Sequence, residues 1–339
     1  MKTAWLALCL MLLGPDRLAL SAEIQNPLIQ ERADPHVFRQ DSTHFYFTAT
    51  VPEYDRIILR SAPTIAGLAT APEAVIWRKH ATGAMAAHIW APEIHRIDGK
   101  WYVYFTAGRS DDIWAIRLYV LENTSRDPLR GHWVEKGQLK TAFESFTLDA
   151  TTFEHRGQRY LVWAQRPLEP QAAGTDIYIA RMKNPWTIEG PQVSISSPTL
   201  EWETRGFKVN EAPAVIARNG RVFITYSASA TDANYCMGLL SAPADAELVD
   251  AKSWTKSPRP VFVTSQKNGQ YGPGHNTFLL AEDGKTDLIV YHARNYAQIK
   301  GDPLNDPNRH TRVQPFTWRA DGTPDFGEPV PDGRLQLPE

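Results

Sequence analysis

The sequence predicts an all-β fold, a five-bladed β-propeller with four antiparallel strands per blade. Three observations predict it. One pattern recurs five times, with starts at residues 34, 91, 149, 211 and 274 and hence gaps of 57, 58, 62 and 63. Asp-Gly, Arg-Gly and Asn-Gly turn dipeptides sit inside three of the copies. Helical periodicity is sparse, and 25 Pro and 21 Gly punctuate the chain throughout, which argues against an α/β barrel. A fixed-period repeat redefines the whole fold and is read before any single strand.

From the N-terminus, Met1-Lys2, the apolar run 4–13 and the small residues Ser21 and Ala22 form the charged, apolar and small-residue zones of a secretory signal peptide. Residues 1–22 are expected to be that signal and 23–339 a single propeller domain, exported to the periplasm or the medium. The apolar run is too short to span a bilayer, so no membrane association is expected once the signal is removed. Cys9 falls in the signal, which leaves Cys236 as the only mature cysteine. No intramolecular disulfide is expected, and Cys236 reads as a buried small hydrophobe rather than a nucleophile.

The five copies share a small or acidic start, a short apolar stretch, a turn and an aromatic-rich strand. The first joins Asp34-Pro-His-Val-Phe-Arg39 to Phe45-Tyr-Phe-Thr-Ala49, and the second joins Ala91-Pro-Glu-Ile-His-Arg96 to Trp101-Tyr-Val-Tyr-Phe105. The third runs from Asp149-Ala-Thr-Thr-Phe153 to Tyr160-Leu-Val-Trp-Ala164, and the fourth from Glu211-Ala-Pro-Ala-Val215 to Val222-Phe-Ile-Thr-Tyr226. The fifth begins at Gly274-His-Asn-Thr-Phe278 and continues into Leu288-Ile-Val-Tyr-His292. Asp98-Gly99, Arg156-Gly157 and Asn219-Gly220 lie between β-rich runs, where residues that tolerate positive φ close two-residue hairpins. The period leaves room for two further strands per copy, as in Ile57-Ile-Leu-Arg60 and Asp176-Ile-Tyr-Ile-Ala180, which makes each copy a four-stranded blade. The segment from Trp318 to Phe326 reads as a last hairpin, and either it or the N-terminal stretch near Asn26 is expected to complete a shared blade.

The formal charge of −2 shows neither a basic stripe nor an acidic tail, so nucleic acid and anionic membrane are not expected partners. A neutral ligand is compatible with it. Eleven Trp and twelve Tyr supply aromatic faces of the kind sugar rings stack on, though packing within a large β-protein accounts for most of them. Five blades place equivalent inner strands around one axis, and three of the five repeat starts are acids. Asp34, Asp149 and Glu211 are therefore expected to face one another at one end of the channel. Each stands among small or apolar neighbours, where an unpaired charge is costly unless it serves chemistry.

These segments resemble the family-43 glycoside hydrolases through nearly the whole mature chain. The resemblance is carried by Arg32-Ala-Asp-Pro35, His88-Ile-Trp-Ala-Pro-Glu-Ile-His95, Ser145-Phe-Thr-Leu-Asp-Ala-Thr-Thr-Phe153, Val209-Asn-Glu-Ala-Pro213, Tyr271-Gly-Pro-Gly-His-Asn276 and Tyr291-His-Ala-Arg294. Val51-Pro-Glu-Tyr-Asp-Arg56 and the segment 224–230 are similar to the branch of exo-acting 1,5-α-L-arabinofuranosidases. The resemblance implies an inverting hydrolase that releases terminal α-L-arabinofuranosyl units from arabinose-containing plant cell-wall polysaccharide or oligosaccharide. Asp34 matches the general base, Glu211 the general acid, and Asp149 the carboxylate that raises the acid's pKa and orients it. Trp90, Arg294 and His275 match residues that bind substrate. His275 is also placed beside a structural calcium ion in the central channel, reached through water. No cofactor is required by the mechanism, and no zinc pattern occurs.

The chemistry agrees with three acids. Inversion needs one protonated carboxyl for the leaving oxygen and one ionised carboxylate to activate water, roughly 6.5–9.5 Å apart. Asp149 would hold the proton on Glu211 by like-charge repulsion, while Asp34, hydrogen-bonded and nearer solvent, would stay ionised. Two alternatives remain open at this point. A β-D-xylosidase or endo-arabinanase would share the blades and differ in the loops, and a non-catalytic carbohydrate-binding propeller would share the fold alone.

Overall fold

The computed structural model describes residues 23–168 and 174–335, so the expected signal segment lies outside the described residues. A short β1 (Ile24–Asn26) precedes the blades. The first blade is β2 (Ala33–Asp41), β3 (His44–Thr50), β4 (Arg56–Ala62) and β5 (Ala74–Arg78), and the second is β6 (Ala87–Ile97), β7 (Lys100–Gly108), β8 (Arg117–Asn123) and β9 (Val134–Gln138). The third is β10 (Thr147–His155), β11 (Gln158–Gln165), β12 (Asp176–Asn184) and β13 (Thr187–Ser196), and the fourth is β14 (Asn210–Arg218), β15 (Arg221–Ala228), β16 (Cys236–Pro243) and β17 (Thr255–Lys256). The fifth has three strands, β18 (Tyr271–Leu280), β19 (Asp287–Arg294) and β20 (His310–Pro315). All the pairings within blades are antiparallel, and the chain is a five-bladed β-propeller.

The second strand of each blade is buried on both faces because a neighbouring blade lies on each side. In β7 the odd residues Trp101, Val103 and Phe105 pack with Ile57 and Leu59 of the first blade. The even residues Tyr102 and Tyr104 pack with Leu161 and Trp163 of the third. Period-two alternation is present, but both phases are apolar, which is how a strand between two layers reads. The expected hairpins form at Asp98-Gly99, Arg156-Gly157 and Asn219-Gly220, where both residues of each pair have φ between 49° and 79°.

The fifth blade departs from the expected four strands, and the N-terminal stretch accounts for the difference. Leu28 N–H donates to the Thr311 carbonyl at 2.8 Å, and Ile29 bridges Thr311. Asn26 replaces a strand residue with its side chain, donating from Nδ2 to the Val313 carbonyl at 2.7 Å and accepting the Val313 N–H on Oδ1 at 3.0 Å. The C-terminal hairpin, β21 (Thr317–Trp318) with β22 (Pro324–Asp325), is a separate two-stranded sheet, and β23 (Gly333–Leu335) pairs with β1. Phe316 and Phe326 pack beneath it against Ile289 and Tyr291 of the fifth blade. The two ends of the chain thus close the ring together.

Each inner strand carries one extra residue at the same place. Between Ala33 and His36, Trp90 and Glu93, Leu148 and Thr151, Glu211 and Ala214, and Gly274 and Thr277 the register slips against the second strand. The left-handed residue of each bulge is Asp34, Ala91, Asp149, Ala212 or His275, with φ from 45° to 55°. None is glycine, so each is held in a conformation that costs about 1–2 kcal/mol. Bulges re-aim side chains, and these five sit where the inner strands approach the axis.

Cys236 is buried, and burial pushes its thiol up to about 12. It is a packing residue. Asn26→Ala leaves the Val313 N–H and carbonyl without their partners, so it is expected to destabilise the protein by about 2 kcal/mol. Urea denaturation reads this as a lower midpoint with an unchanged slope.

Candidate active site

The bulges bring the three acids to one cavity of about 760 Å³, lined also by Trp90, Trp114, Phe207, His275 and Arg309. The sequence reading placed the acids at one equivalent position, and the register corrects it. Asp34 and Asp149 are left-handed bulge residues, whereas Glu211 precedes its own, Ala212. The structural equivalent of Glu211 in the second blade is Trp90, and His275 shares the position of the two aspartates.

Asp34 is 7 % exposed, so the expectation that solvent keeps it ionised is replaced by a different cause. Burial opposes its charge, and the Arg309 guanidinium and the His275 imidazolium more than offset this, holding the carboxyl well below the usual range. Arg309 Nη1 donates to Oδ1 at 3.2 Å, and His275 Nδ1 lies 3.2 Å from the same oxygen. His275 is pushed up to about 9 against the effect of its burial, mainly by Asp34 and then Asp149, and so carries a proton at neutral pH. His292 has another role. Its Nδ1 accepts the Asp34 backbone N–H at 3.0 Å, and burial holds the ring neutral, down to about 3. An Nδ1 that accepts cannot also donate, so its 3.3 Å approach to Asp34 Oδ1 is a contact and not a hydrogen bond.

Glu211 has the opposite environment. Burial first and the Asp149 carboxylate second raise its carboxyl, and a hydrogen bond from the Tyr235 hydroxyl to Oε1 at 2.8 Å offsets this only in part. Asp149 is raised by burial as well, with the His275 cation opposing and the Ala212 N–H donating to Oδ2 at 3.1 Å. Those two partners favour charge on Asp149, so the proton the pair shares rests on Glu211. The residue before the acid is fixed independently: Asn210 Nδ2 donates to the buried Glu203 at 3.1 Å, and Ser196 donates to Asn210 Oδ1 at 2.6 Å.

Trp90 lines the cavity, and its indole Nε1–H is buried without a hydrogen-bond partner among the described residues. His88 and Trp114 lie beside it with ring centroids 4.4 and 6.1 Å away and planes tilted by 37° and 59°, and Trp114 is half exposed. Arg294, expected near the bound sugar, is only 1 % exposed and does not line the cavity. It donates to the carbonyls of Thr231 and Pro303 at 2.6 and 2.8 Å and to Asp306 at 3.2 Å, clamping two wall loops from behind. Arg309 is the arginine that reaches the carboxylate. Tyr54 donates to the Leu304 carbonyl and accepts from Arg309 Nη2 at 3.3 Å, joining the first-blade loop to the loop before β20.

Further down the channel Glu93 Oε2 lies 2.9 Å from His95 Nε2 and 3.7 Å from His36 Nε2. This donor set does not fit calcium, which takes six to eight oxygens. His36 is held neutral, down to about 4, chiefly by burial, and its Nδ1 accepts the Ile94 N–H at 3.3 Å. Its proton is therefore on Nε2, facing Glu93, and no lone pair is offered to a metal there. His275 has its Nδ1 committed to Asp34.

A cavity with an ionised carboxylate, a protonated carboxyl and an aromatic wall suits glycoside hydrolysis, and the family comparison agrees over residues 24–324. The chain belongs to the glycosyl hydrolases family 43. It is 64 % identical over 314 residues to an extracellular exo-α-(1→5)-L-arabinofuranosidase of Streptomyces avermitilis, covering 92 % of this chain and 65 % of that protein. It is 58 % identical to α-L-arabinofuranosidase 43 of Humicola insolens, covering 91 % and 64 %. The chain thus spans just under two thirds of the length of these two relatives. An extracellular exo-α-(1→5)-L-arabinofuranosidase of Streptomyces chartreusis is 58 % identical over 283 residues, covering 83 % of this chain and 86 % of that protein. The crystal structure of an α-L-arabinofuranosidase from Lactobacillus brevis superposes with a TM-score of 0.88 at 52 % identity, over 91 % of this chain and 98 % of that one.

Replacing Arg309 by Met tests the electrostatics directly. The folded Asp34 pKa is depressed, so its stabilising contribution is present above the unfolded value and is lost as pH falls through the folded value. Without the guanidinium that loss begins at higher pH. Acid unfolding followed by tryptophan fluorescence is expected to have its midpoint shifted upward in Arg309→Met.

Proposed function

We propose that this chain is an inverting exo-α-L-arabinofuranosidase, secreted or periplasmic, which removes terminal arabinofuranosyl units from arabinan or arabino-oligosaccharides. The observation that carries the reading is the opposite surroundings of two carboxyls in one cavity: Asp34 lies against Arg309 and His275, which favour its charge, and Glu211 against Asp149 and a tyrosine hydroxyl, where burial and the neighbouring carboxylate favour its proton. Asp34 takes a proton from water as the water attacks the anomeric carbon, and Glu211 gives its proton to the departing glycosidic oxygen on the opposite face. Asp149 keeps Glu211 protonated until then. The base is a weak one, because the two cations hold its pKa low, but they also keep it ionised in a buried site.

The relatives' names support arabinofuranosyl as the glycone and an exo mode of attack. Leu304 and Arg309 line the cavity and are tied together from behind by Tyr54, and a wall held in this way supports the closed pocket an exo enzyme needs. Trp90 lines the cavity and supports the reading by offering an aromatic face of the kind sugar rings stack on. The extracellular relatives and the charged and apolar zones of residues 1–22 together support export.

Incubation with linear 1,5-α-arabino-oligosaccharides beside xylo-oligosaccharides, with proton NMR of the first-formed anomer, tests the reading. Inverted arabinose alone is expected, and Glu211→Ala is expected to lower kcat by at least 10²-fold. Xylose release, or a retained anomer, would count against it. Asp149→Asn removes the charge that raises Glu211, so its pH–kcat profile is expected to lose its alkaline limb at lower pH than wild type, with kcat reduced about 10²-fold.

A further inference from the structure

The left-handed bulge residues are tied together by a ring of hydrogen bonds that runs from blade to blade. One register position on the second strand of each blade lies opposite the residue that precedes the bulge residue. It is Thr50 opposite Ala33, Thr106 opposite Trp90, Ala164 opposite Leu148, Ser227 opposite Glu211 and His292 opposite Gly274. Four of these five side chains accept the bulge amide of the following blade. Thr50 Oγ1 accepts the Ala91 N–H at 2.7 Å, and Thr106 Oγ1 the Asp149 N–H at 3.2 Å. Ser227 Oγ accepts the His275 N–H at 2.8 Å, and His292 Nδ1 accepts the Asp34 N–H at 3.0 Å, closing the ring between the last blade and the first.

The third blade breaks the series. Ala164 is fully buried and offers no acceptor, so the Ala212 N–H would be left unmet in the interior, which folded chains avoid. Asp149 Oδ2 accepts it instead, at 3.1 Å, and Ala212 is the residue next to Glu211. We propose that Ala164 is a positioning residue for the acid pair: by withholding an acceptor it commits Asp149 to the backbone beside Glu211 and sets the orientation of both carboxyls. This rests on the glycosidase reading above. The hydrogen bond also favours the ionised form of Asp149, which faces His275, Asp34 and Glu93. Glu211 faces Asp149, Tyr235, His275 and Asp34, so a less ionised Asp149 would hold the Glu211 proton less firmly.

Ala164→Ser restores the acceptor that the other four blades have. The serine hydroxyl takes the Ala212 N–H, Asp149 loses that donor, and the carboxyl is free to turn. Expected on arabino-oligosaccharides are a fall in kcat of roughly tenfold, a KM within about twofold of wild type, and an alkaline limb moved to lower pH. Ala164→Gly adds no acceptor and is expected to keep the limb where wild type has it. Wild-type kcat and limb in Ala164→Ser, or an equal shift in Ala164→Gly, would overturn the proposal. Amide hydrogen exchange at Ala212 gives a readout independent of turnover. Asp149→Ala is expected to speed that exchange at least tenfold, and Ala164→Ser added to it to restore the protection. Unchanged exchange in Asp149→Ala, or none restored in the double variant, would also overturn it. An inactive wild type with the expected exchange pattern would reject the glycosidase reading alone.

Discussion

The structure depends on one backbone constraint: the residue at the head of each inner strand is left-handed and not glycine, and its N–H is bonded by a side chain of the preceding blade. A conformation that costs energy locally persists only where the surroundings over-determine it. Here the acceptor is always on the neighbouring blade, or in one case on that neighbour's own bulge residue. Local strain is thereby coupled to closure of the ring. The last link, from His292 to Asp34, joins the fifth blade to the first at the cavity itself, while Asn26 joins the same two regions of chain at the outer edge.

The constraint also sets the electrostatics. With Asp34, Asp149 and His275 all at the left-handed position, two aspartates and one histidine converge on the axis, and Glu211 reaches the cavity from one residue earlier. Arg309 and His275 hold Asp34 ionised on one side, and His275 also opposes the raised pKa of Asp149 and of Glu211. On the other side Glu211 has a tyrosine hydroxyl and a second carboxylate for neighbours. Buried charges are costly unless paired, so an unpaired buried carboxyl keeps its proton and a paired one gives it up. The division into an ionised and a protonated carboxyl follows from which neighbours carry charge.

Much of this was legible in the sequence. The repeat interval and the glycine turns gave the blades, and the acids stood out because each began a repeat among apolar residues. The one-residue offset of Glu211 was not legible, because a bulge leaves no signature when its left-handed residue is Ala212 rather than glycine. Arg309 was missed because it sits in a loop after the repeat, with no pattern to link it to Asp34 some 275 residues earlier. Arg294 was placed at the sugar by the family resemblance alone, but its side chain is directed to the loop carbonyls and Asp306. His292 meets Asp34 across two blades, and Tyr235 reaches Glu211 from the loop before β16 of the same blade; neither contact has a motif of its own. The signal for His292 was available in principle, since it occupies the position of Thr50, Thr106 and Ser227 in the other copies.

The account stands on the protonation of two carboxyls, and neutron diffraction from deuterium-exchanged crystals grown near pH 6 reads it most directly. The account predicts a deuteron on Glu211, none on Asp34, and deuterons on both ring nitrogens of His275. A deuteron on Asp34, or a bare Glu211, would contradict it.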